Sequence, residues 1–310
     1  MRHRPAHHPS EAARLVQRPV RRALDAQWHD LGQRDIAGVG PRQVRLHVPA
    51  GLRQPRPLLV LWDGQNVFGD AGSYAGGWHT HQAVHRLPRR AAPMVLALDH
   101  GGTARIDDLT PWHTAVPLEG QVPPQETLER PKRPTPHDHG HEHRGGHLPH
   151  LLSWLTQELL PEVHHRSPGV CGMPLRAGPR HTAIGGSSLG GLASLYAHFS
   201  YPEVFGTCLA LSPSIWFGGA RLLRWLAEHP MPEQSRISLD VGDRESMQMR
   251  VLAHDLAVRL ARNGWAPHAG SPRQLWWQEV ERAGHTEKAW RRRFPAVLRY
   301  AFDPNWRPDL

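Results

Sequence analysis

The sequence contains very little cysteine: Cys171 and Cys208 are the only two in 310 residues, and they lie far apart. Two distant cysteines do not form a disulfide framework and are typical of a reducing compartment. The sequence also lacks any run of 18 apolar residues, so no membrane-spanning helix is predicted. Its first 30 residues contain no apolar core of the kind that secretory signals carry. From these absences we expect a cytoplasmic protein that makes no membrane contact.

Hydrophobic residues are also scarce, at 39%, whereas the chain has 30 prolines and 29 glycines. Polar segments rich in proline and histidine account for this balance, and the middle of the chain retains enough apolar residues for a packed core. The net charge is +9, and arginines cluster near both ends of the chain. No nucleic-acid-binding motif accompanies these clusters, so we interpret them as solvated basic faces and expect no nucleic-acid partner.

Short apolar runs alternate with segments of helical periodicity through most of the chain. The predicted strands are 44–48, 58–62, 94–98, 181–185, 208–211, 237–241 and 275–280. The predicted helices are 78–87, 148–163, 192–199, 219–228, 247–263 and 287–300. This alternation predicts an α/β fold with a mostly parallel central sheet and helices on both faces. We expect a basic, flexible arm over residues 1–27 and a single α/β domain over 28–310, with an irregular insertion rich in proline and histidine at about 106–147.

The pentapeptide Gly186-Ser187-Ser188-Leu189-Gly190 stands between a predicted strand and a predicted helix. Gly-x-Ser-x-Gly in that position is the pattern of the nucleophile elbow of α/β-hydrolases, in which a sharp turn exposes the central serine. The two glycines bracket Ser188, so the pattern predicts Ser188 as the nucleophile. A glycine-rich turn with a serine at a helix N-terminus is the alternative interpretation.

A nucleophilic serine needs a base and an acid, and in α/β-hydrolases the acid and then the histidine follow the serine along the chain. Asp243 and Glu245 follow the predicted strand 237–241, and either could be the acid or could only begin the next helix. Among the later histidines, His285 stands directly after a strand and before a helix. For the oxyanion, we expect backbone N–H groups of Leu189 and of Gln65, which follows the strand 58–62.

Together these motifs resemble a family of esterases that includes esterase D and the enterochelin esterases. The resemblance covers about residues 44–302 without the insertion. It rests on Trp62-Asp63-Gly64-Gln65-Asn66-Val67-Phe68, Gly77-Trp78, Asp99, Gly186-Ser187-Ser188-Leu189-Gly190-Gly191, Leu211-Ser212-Pro213-Ser214, Gly242-Asp243-Arg244-Glu245 and Gly284-His285.

The resemblance implies an α/β-hydrolase fold and a serine esterase that cleaves carboxylic esters through an acyl-enzyme. It implies Ser188 as nucleophile, His285 as base and Glu245 as acid, with Asp243 as the fallback acid. Leu189 and Gln65 would form the oxyanion hole. No cofactor is implied, and the expected partner is a small-molecule ester. The choice among siderophore, feruloyl, acetyl and thioester substrates stays open, as does the oligomeric state.

Two alternatives remain at this point. The chain could be an acyltransferase that uses the same residues, or a catalytically silent scaffold that binds a metal or ligand through its histidine-rich tract. That tract comprises His137, His139, His141, His143 and His147. Neutral imidazole is a common metal ligand, but His-x-His spacing in a polar loop is not a preformed site. We therefore interpret the tract as a solvated loop and predict no metal site.

Overall fold

A central sheet of eight strands organises the described part of the chain. The computed structural model describes residues 27–50, 54–71, 73, 75–117, 141–171, 174–268 and 270–307. The strands are β1 (Gln27–Ile36), β2 (Gly40–Val48), β3 (Leu58–Leu61), β4 (Met94–Leu98), β5 (Thr114–Pro117), β6 (His141–Arg144), β7 (Thr182–Ser187), β8 (Thr207–Leu211), β9 (Ser235–Gly242) and β10 (Arg273–Val280). The sheet has the order β1-β2-β4-β3-β7-β8-β9-β10, and β5 and β6 form a separate two-stranded ribbon.

Strands β4, β3, β7, β8, β9 and β10 run parallel to one another, whereas β1 pairs with β2 and β2 with β4 in the antiparallel sense. The helices are α1 (Gly64–Val67), α2 (Thr80–His85), α3 (Arg105–Asp108), α4 (Leu148–Trp154), α5 (Leu160–Cys171), α6 (Leu189–Ser200), α7 (Phe217–Glu228), α8 (Met247–Arg262) and α9 (Glu287–Phe302). A π-helical segment, Leu155–Leu159, joins α4 to α5. The predicted α/β fold with a mostly parallel sheet is confirmed.

The central strands are buried on both faces, which explains why they are continuous apolar runs in the sequence. In β3, Leu58 and Val60 belong to one core and Leu59 and Leu61 to the other. The first core contains side chains of α4–α8, and the second contains side chains of α2 and α9. Because all parallel strands point the same way, their carboxyl ends, with the loops that follow them, lie along one edge of the sheet.

The element boundaries differ from the sequence-based prediction mainly at the antiparallel end. The sequence indicated no strand before Val44, but β1 spans ten residues and β2 already begins at Gly40. A register shift between Asp30 and Gly32 interrupts the pairing of β1 with β2. This shift breaks the alternation of apolar and polar residues, so the strand has no clean period of two.

The insertion predicted as irregular at about 106–147 contains α3 and the ribbon β5–β6 in its described parts. The basic arm predicted for 1–27 lies outside the described residues except for Gln27, which begins β1. Within the described ranges, none of the helices combines the length and apolar character needed to cross a membrane.

His198 predicts an acid-dependent loss of stability. It lies fully buried on α6 with Nε2 2.7 Å from Ser235 Oγ, and burial lowers its pKa from 6.5 to about 4. Between those two values the unfolded chain binds a proton that the native protein does not. The free energy of unfolding therefore falls as the pH falls below 6.5, by about 1.4 kcal/mol per pH unit from this residue.

Urea unfolding of the native protein and of His198→Gln between pH 7.5 and 4.5 measures this contribution. In the variant, the free energy of unfolding should change less steeply with pH, by the amount that corresponds to about one bound proton. His268→Gln, at an exposed histidine, should retain the native dependence. Equal slopes for the native protein and His198→Gln would contradict the assignment.

Candidate active site

Ser188 occupies a strained turn between β7 and α6. Its backbone angles are φ 57° and ψ −122°, and its N–H donates to the carbonyl of Leu211 at 3.0 Å. A positive φ is costly for a residue with a Cβ, so the surrounding chain must impose it. The neighbouring glycines permit the close passage: a Cβ on Gly186 would lie 2.9 Å from the backbone carbonyl carbon of Gly190. The turn therefore has the geometry that the sequence pattern predicted.

The hydroxyl of Ser188 contacts two side chains from other loops at the same edge of the sheet. Its Oγ lies 2.9 Å from His285 Nε2 and 3.1 Å from Ser214 Oγ. His285 follows β10 and precedes α9, as expected from the sequence. Ser214 follows β8, is buried, and donates its own backbone N–H to the Ser188 carbonyl at 2.9 Å. The sequence-based site did not include Ser214.

His285 lies between Ser188 and Glu245. Its Nδ1 is 2.9 Å from Glu245 Oε2, so its two ring nitrogens contact the serine and the carboxylate. The ring also packs edge-to-face on Trp290, with centroids 4.8 Å apart. These contacts restrain the imidazole from three sides. The structure thus brings together the three side chains that the sequence pointed to on three separate loops.

Glu245 and Asp243 differ clearly in their surroundings. The Glu245 side chain is fully buried against His285, whereas Asp243 accepts a hydrogen bond from the N–H of Ala283 at 3.2 Å. Burial raises the pKa of Glu245, but hydrogen bonds from His285, Ser212 and Gly242 outweigh it and hold the pKa below its usual range. Of the two acids that the sequence left open, Glu245 is the one that contacts His285.

The segments that carry the two expected oxyanion donors pack against each other in the fold. Leu189 is the first residue of α6, directly after Ser188. Gln65 lies in α1, and its side chain exchanges hydrogen bonds with the backbone of His100 at 3.3 and 3.5 Å. A Cβ on Gly190 would lie 3.3 Å from both Trp62 Cβ and Asp63 Oδ2. The start of α6 therefore packs against the loop that leads to Gln65.

Charged side chains hold this loop in place. Asp63, in the left-handed region at φ 56°, forms a bidentate pair with Arg105, with both N–O distances 2.7 Å. Glu287, at the start of α9, accepts hydrogen bonds from Asn66 Nδ2 and Trp78 Nε1, each at 3.1 Å. Burial raises the pKa of Glu287. These contacts connect α1 to α3 and to the helix that follows His285.

In the described part of the chain, the histidine-rich tract is represented by β6 and by His147. His137 and His139 lie outside the described residues, and His141 and His143 belong to β6. His147 lies at the start of α4 with Nδ1 3.8 Å from Asp108 Oδ1. No cluster of three or more His, Cys, Asp or Glu side chains suited to a metal ion occurs in the described part of the chain.

The family model described as "Putative esterase" matches residues 40–301. The chain belongs to this family of esterases. Among curated relatives, an iron(III) salmochelin esterase of Escherichia coli is 27% identical over 262 residues, which are 79% of this chain and 53% of that protein. An iron(III) enterobactin esterase of Escherichia coli is 32% identical over 159 residues, which are 48% of this chain and 36% of the relative. The chain thus spans about half or less of the length of these two relatives.

Two solved structures show the same fold over most of both chains. The BES protein from Bacillus cereus has a TM-score of 0.62 and 18% identity, covering 90% of this chain and 96% of that one. The siderophore hydrolase EstA from Aspergillus nidulans has a TM-score of 0.60 and 20% identity, covering 89% and 94%. These likenesses support the α/β-hydrolase fold expected from the sequence.

The close passage at the turn predicts that Gly186→Ala lowers stability. The added Cβ would press on the backbone of Gly190, which cannot yield as a flexible side chain would, so we expect a loss of about 1–3 kcal/mol. Chemical denaturation measures it. Gly69→Ala is the matched control, because a Cβ there meets no atom within 4 Å. Equal stabilities of the two variants would show that the close passage is not a constraint.

Proposed function

We propose that the protein is a serine esterase that hydrolyses carboxylic esters through an acyl-enzyme. The observation that carries the proposal is the continuous chain of hydrogen bonds from Ser188 Oγ through the imidazole of His285 to Glu245 Oε2, with both distances 2.9 Å. Nucleophile, base and orienting acid in this order are the arrangement of serine hydrolases. Membership in the esterase family supports the same chemistry.

In the acylation step, His285 Nε2 accepts the proton of Ser188 as Oγ attacks the ester carbonyl carbon. The C=O π bond becomes an oxyanion, and the backbone N–H groups of Leu189 and Gln65 are the proposed donors that stabilise it. When the tetrahedral intermediate collapses, the bond to the alcohol oxygen breaks and the imidazolium gives its proton to that oxygen. The alcohol then leaves, and the acyl group remains on Ser188.

Deacylation repeats these steps with water as the nucleophile. His285 takes a proton from water, the hydroxide oxygen attacks the acyl carbon, and the proton returns to Ser188 Oγ as the acid leaves. Glu245 stabilises the imidazolium in both halves of the cycle, and its lowered pKa keeps it ionised at neutral pH. Ser214 donates to Ser188 Oγ whenever Ser188 donates to His285, which restrains the nucleophile.

The substrate class that we propose is an ester linkage of a siderophore. The support is the similarity to relatives that are esterases of iron(III) salmochelin and of iron(III) enterobactin. A panel of siderophore, feruloyl and short-chain acetyl esters tests this directly. The largest kcat/KM should occur with the siderophore esters, and a clear preference for feruloyl or acetyl esters would contradict the substrate class while leaving the esterase chemistry intact.

Ser188→Ala is expected to abolish both turnover and covalent labelling, because no other group replaces the attacking oxygen. A fluorophosphonate probe with mass spectrometry measures labelling, and peptide mapping should place the adduct on Ser188. Ser187→Ala, which changes the neighbouring serine, should still be labelled. Absence of labelling in the folded native protein across pH 6–9 would contradict the esterase proposal.

Glu245→Gln and Asp243→Asn separate the two acids. Loss of the charge beside His285 should lower kcat by about 100-fold or more, because the imidazolium loses its partner. Asp243→Asn should keep native kcat, since its carboxylate contacts the Ala283 N–H rather than the imidazole. Steady-state kinetics on an activated ester measures both. A larger loss from Asp243→Asn than from Glu245→Gln would reverse the assignment.

A further inference from the structure

Ser212 lies directly beneath the proposed triad, at the end of β8. It is fully buried and has φ 44°, in the left-handed region. Its backbone N–H lies 3.0 Å from both the carbonyl oxygen and Oδ1 of Asp240 on β9. A buried serine held in a strained conformation indicates that the surrounding structure imposes the position of its hydroxyl.

The direction of the Ser212 hydroxyl hydrogen follows from counting donors. Arg293 Nη2 lies 2.6 Å and Trp290 Nε1 3.0 Å from Ser212 Oγ, and both groups can only donate. These two bonds occupy the acceptor sites of the oxygen. Its single hydrogen therefore points to the third neighbour, Glu245 Oε1, at 2.5 Å. Arg293 and Trp290 thereby orient the Ser212 hydroxyl so that it donates to Glu245.

The Glu245 carboxylate is consequently fixed at both oxygens. Oε1 accepts from the Ser212 hydroxyl and from the Gly242 N–H at 2.8 Å. This leaves Oε2 for His285 at 2.9 Å. A carboxylate bound at one oxygen only could rotate about its terminal torsion, which is broad for glutamate. The two bonds to Oε1 remove that freedom.

Arg293 brings a positive charge into this buried region, and Asp240 neutralises it. Arg293 Nε lies 3.0 Å from Asp240 Oδ2 and Nη2 lies 2.7 Å from Oδ1. Both side chains are nearly fully buried. The guanidinium can therefore polarise the Ser212 hydroxyl without adding net charge beneath Glu245. Among the described residues, the titratable and charged groups around Glu245 are then His285 from the loop before α9, Arg293 from α9 and Asp240 from β9.

We propose that Ser212 and Arg293 are positioning residues that act through Glu245, holding its carboxylate in one orientation toward His285, with Asp240 as the counter-ion of Arg293. This inference rests on the proposed function of Glu245 and adds residues from two further elements to the site. Neither residue contacts the reacting atoms, so neither is a catalytic residue in the sense proposed for Ser188 and His285.

Ser212→Ala and Ser212→Gly test the role together. Both remove the hydroxyl, but glycine also relieves the positive φ. Positioning through the hydroxyl predicts that both variants lower kcat by about 10- to 100-fold and leave KM for a short activated ester little changed. A purely structural role of the turn predicts that Ser212→Gly keeps native kinetics, and that result would overturn the proposal.

The pH profile provides a readout that a structural role would not change. Without the Ser212 donor, Glu245 becomes more basic and holds the imidazolium more strongly, so the Glu245–His285 pair takes up its proton at higher pH. The acid limb of kcat/KM should shift upward by about one pH unit in both variants. Arg299→Gln, at an exposed arginine on α9, should keep the native profile. An unshifted limb in both Ser212 variants would contradict the proposed role of Ser212.

The Glu245→Gln background shows whether Ser212 acts through the acid. There, Ser212→Ala should cause little further loss of kcat, because the residue through which it acts is already changed. Fully multiplicative losses would overturn the proposal. ¹³C NMR titration of the Glu245 carboxyl requires no turnover: its apparent pKa should rise by about one unit in Ser212→Ala. If the pKa of Glu245 rises in this way but the protein has no esterase activity, the proposed function is refuted. The hydrogen-bond chain from Ser212 to Glu245 is supported in that case.

Discussion

The Glu245 carboxylate makes hydrogen bonds to three parts of the chain: the end of β9 through Gly242, the end of β8 through Ser212, and the loop before α9 through His285. Gly242 ends β9, Ser212 follows β8, and His285 lies between β10 and α9, so the packing of the parallel sheet sets the positions of all three. Because a buried carboxylate without partners is strongly unfavourable, these bonds and the packing of the strands depend on one another. The contact between His285 and Ser188 therefore depends both on the hydrogen bonds of Glu245 and on the packing of the strands.

A constraint of a different kind acts at the turn after β7, which has no room for a side chain at Gly186. Gly186 and Gly190 pass too closely for a Cβ on the former, and Gly190 packs on Trp62 and Asp63 in the loop after β3. The turn thereby brings the start of α6 beside the loop that leads to Gln65 in α1. Backbone strain at Ser188, Ser212 and Asp63 occurs where β7, β8 and β3 end. Strain concentrated at one edge of the sheet is typical of a functional site.

The central strands could be predicted because burial on both faces leaves them as short apolar runs between turns, as in β3 and β4. β1 could not, because its position comes from long-range pairing with β2 across an irregular register rather than from a local pattern. The ribbon β5–β6 pairs two segments of the insertion with each other, and nothing local in the sequence indicates that pairing. Ser212 and Ser214 do stand in a Ser-Pro-Ser segment after a strand, which was a usable signal for polar groups at the edge where the site lies.

The sequence by itself determined the order of the central strands and the longer helices, the turn at Ser188 and the loop of His285, because glycine spacing and strand–loop–helix order are local properties. The spacing of residues alone left both Asp243 and Glu245 as candidate acids, since both follow the same strand, and the family resemblance favoured Glu245. Only the tertiary structure shows that Glu245 contacts His285 and Asp243 contacts the Ala283 N–H, because these contacts depend on how β8, β9 and β10 lie side by side. The same holds for Arg293 and Ser212, which are 81 positions apart in the chain and 2.6 Å apart in the fold.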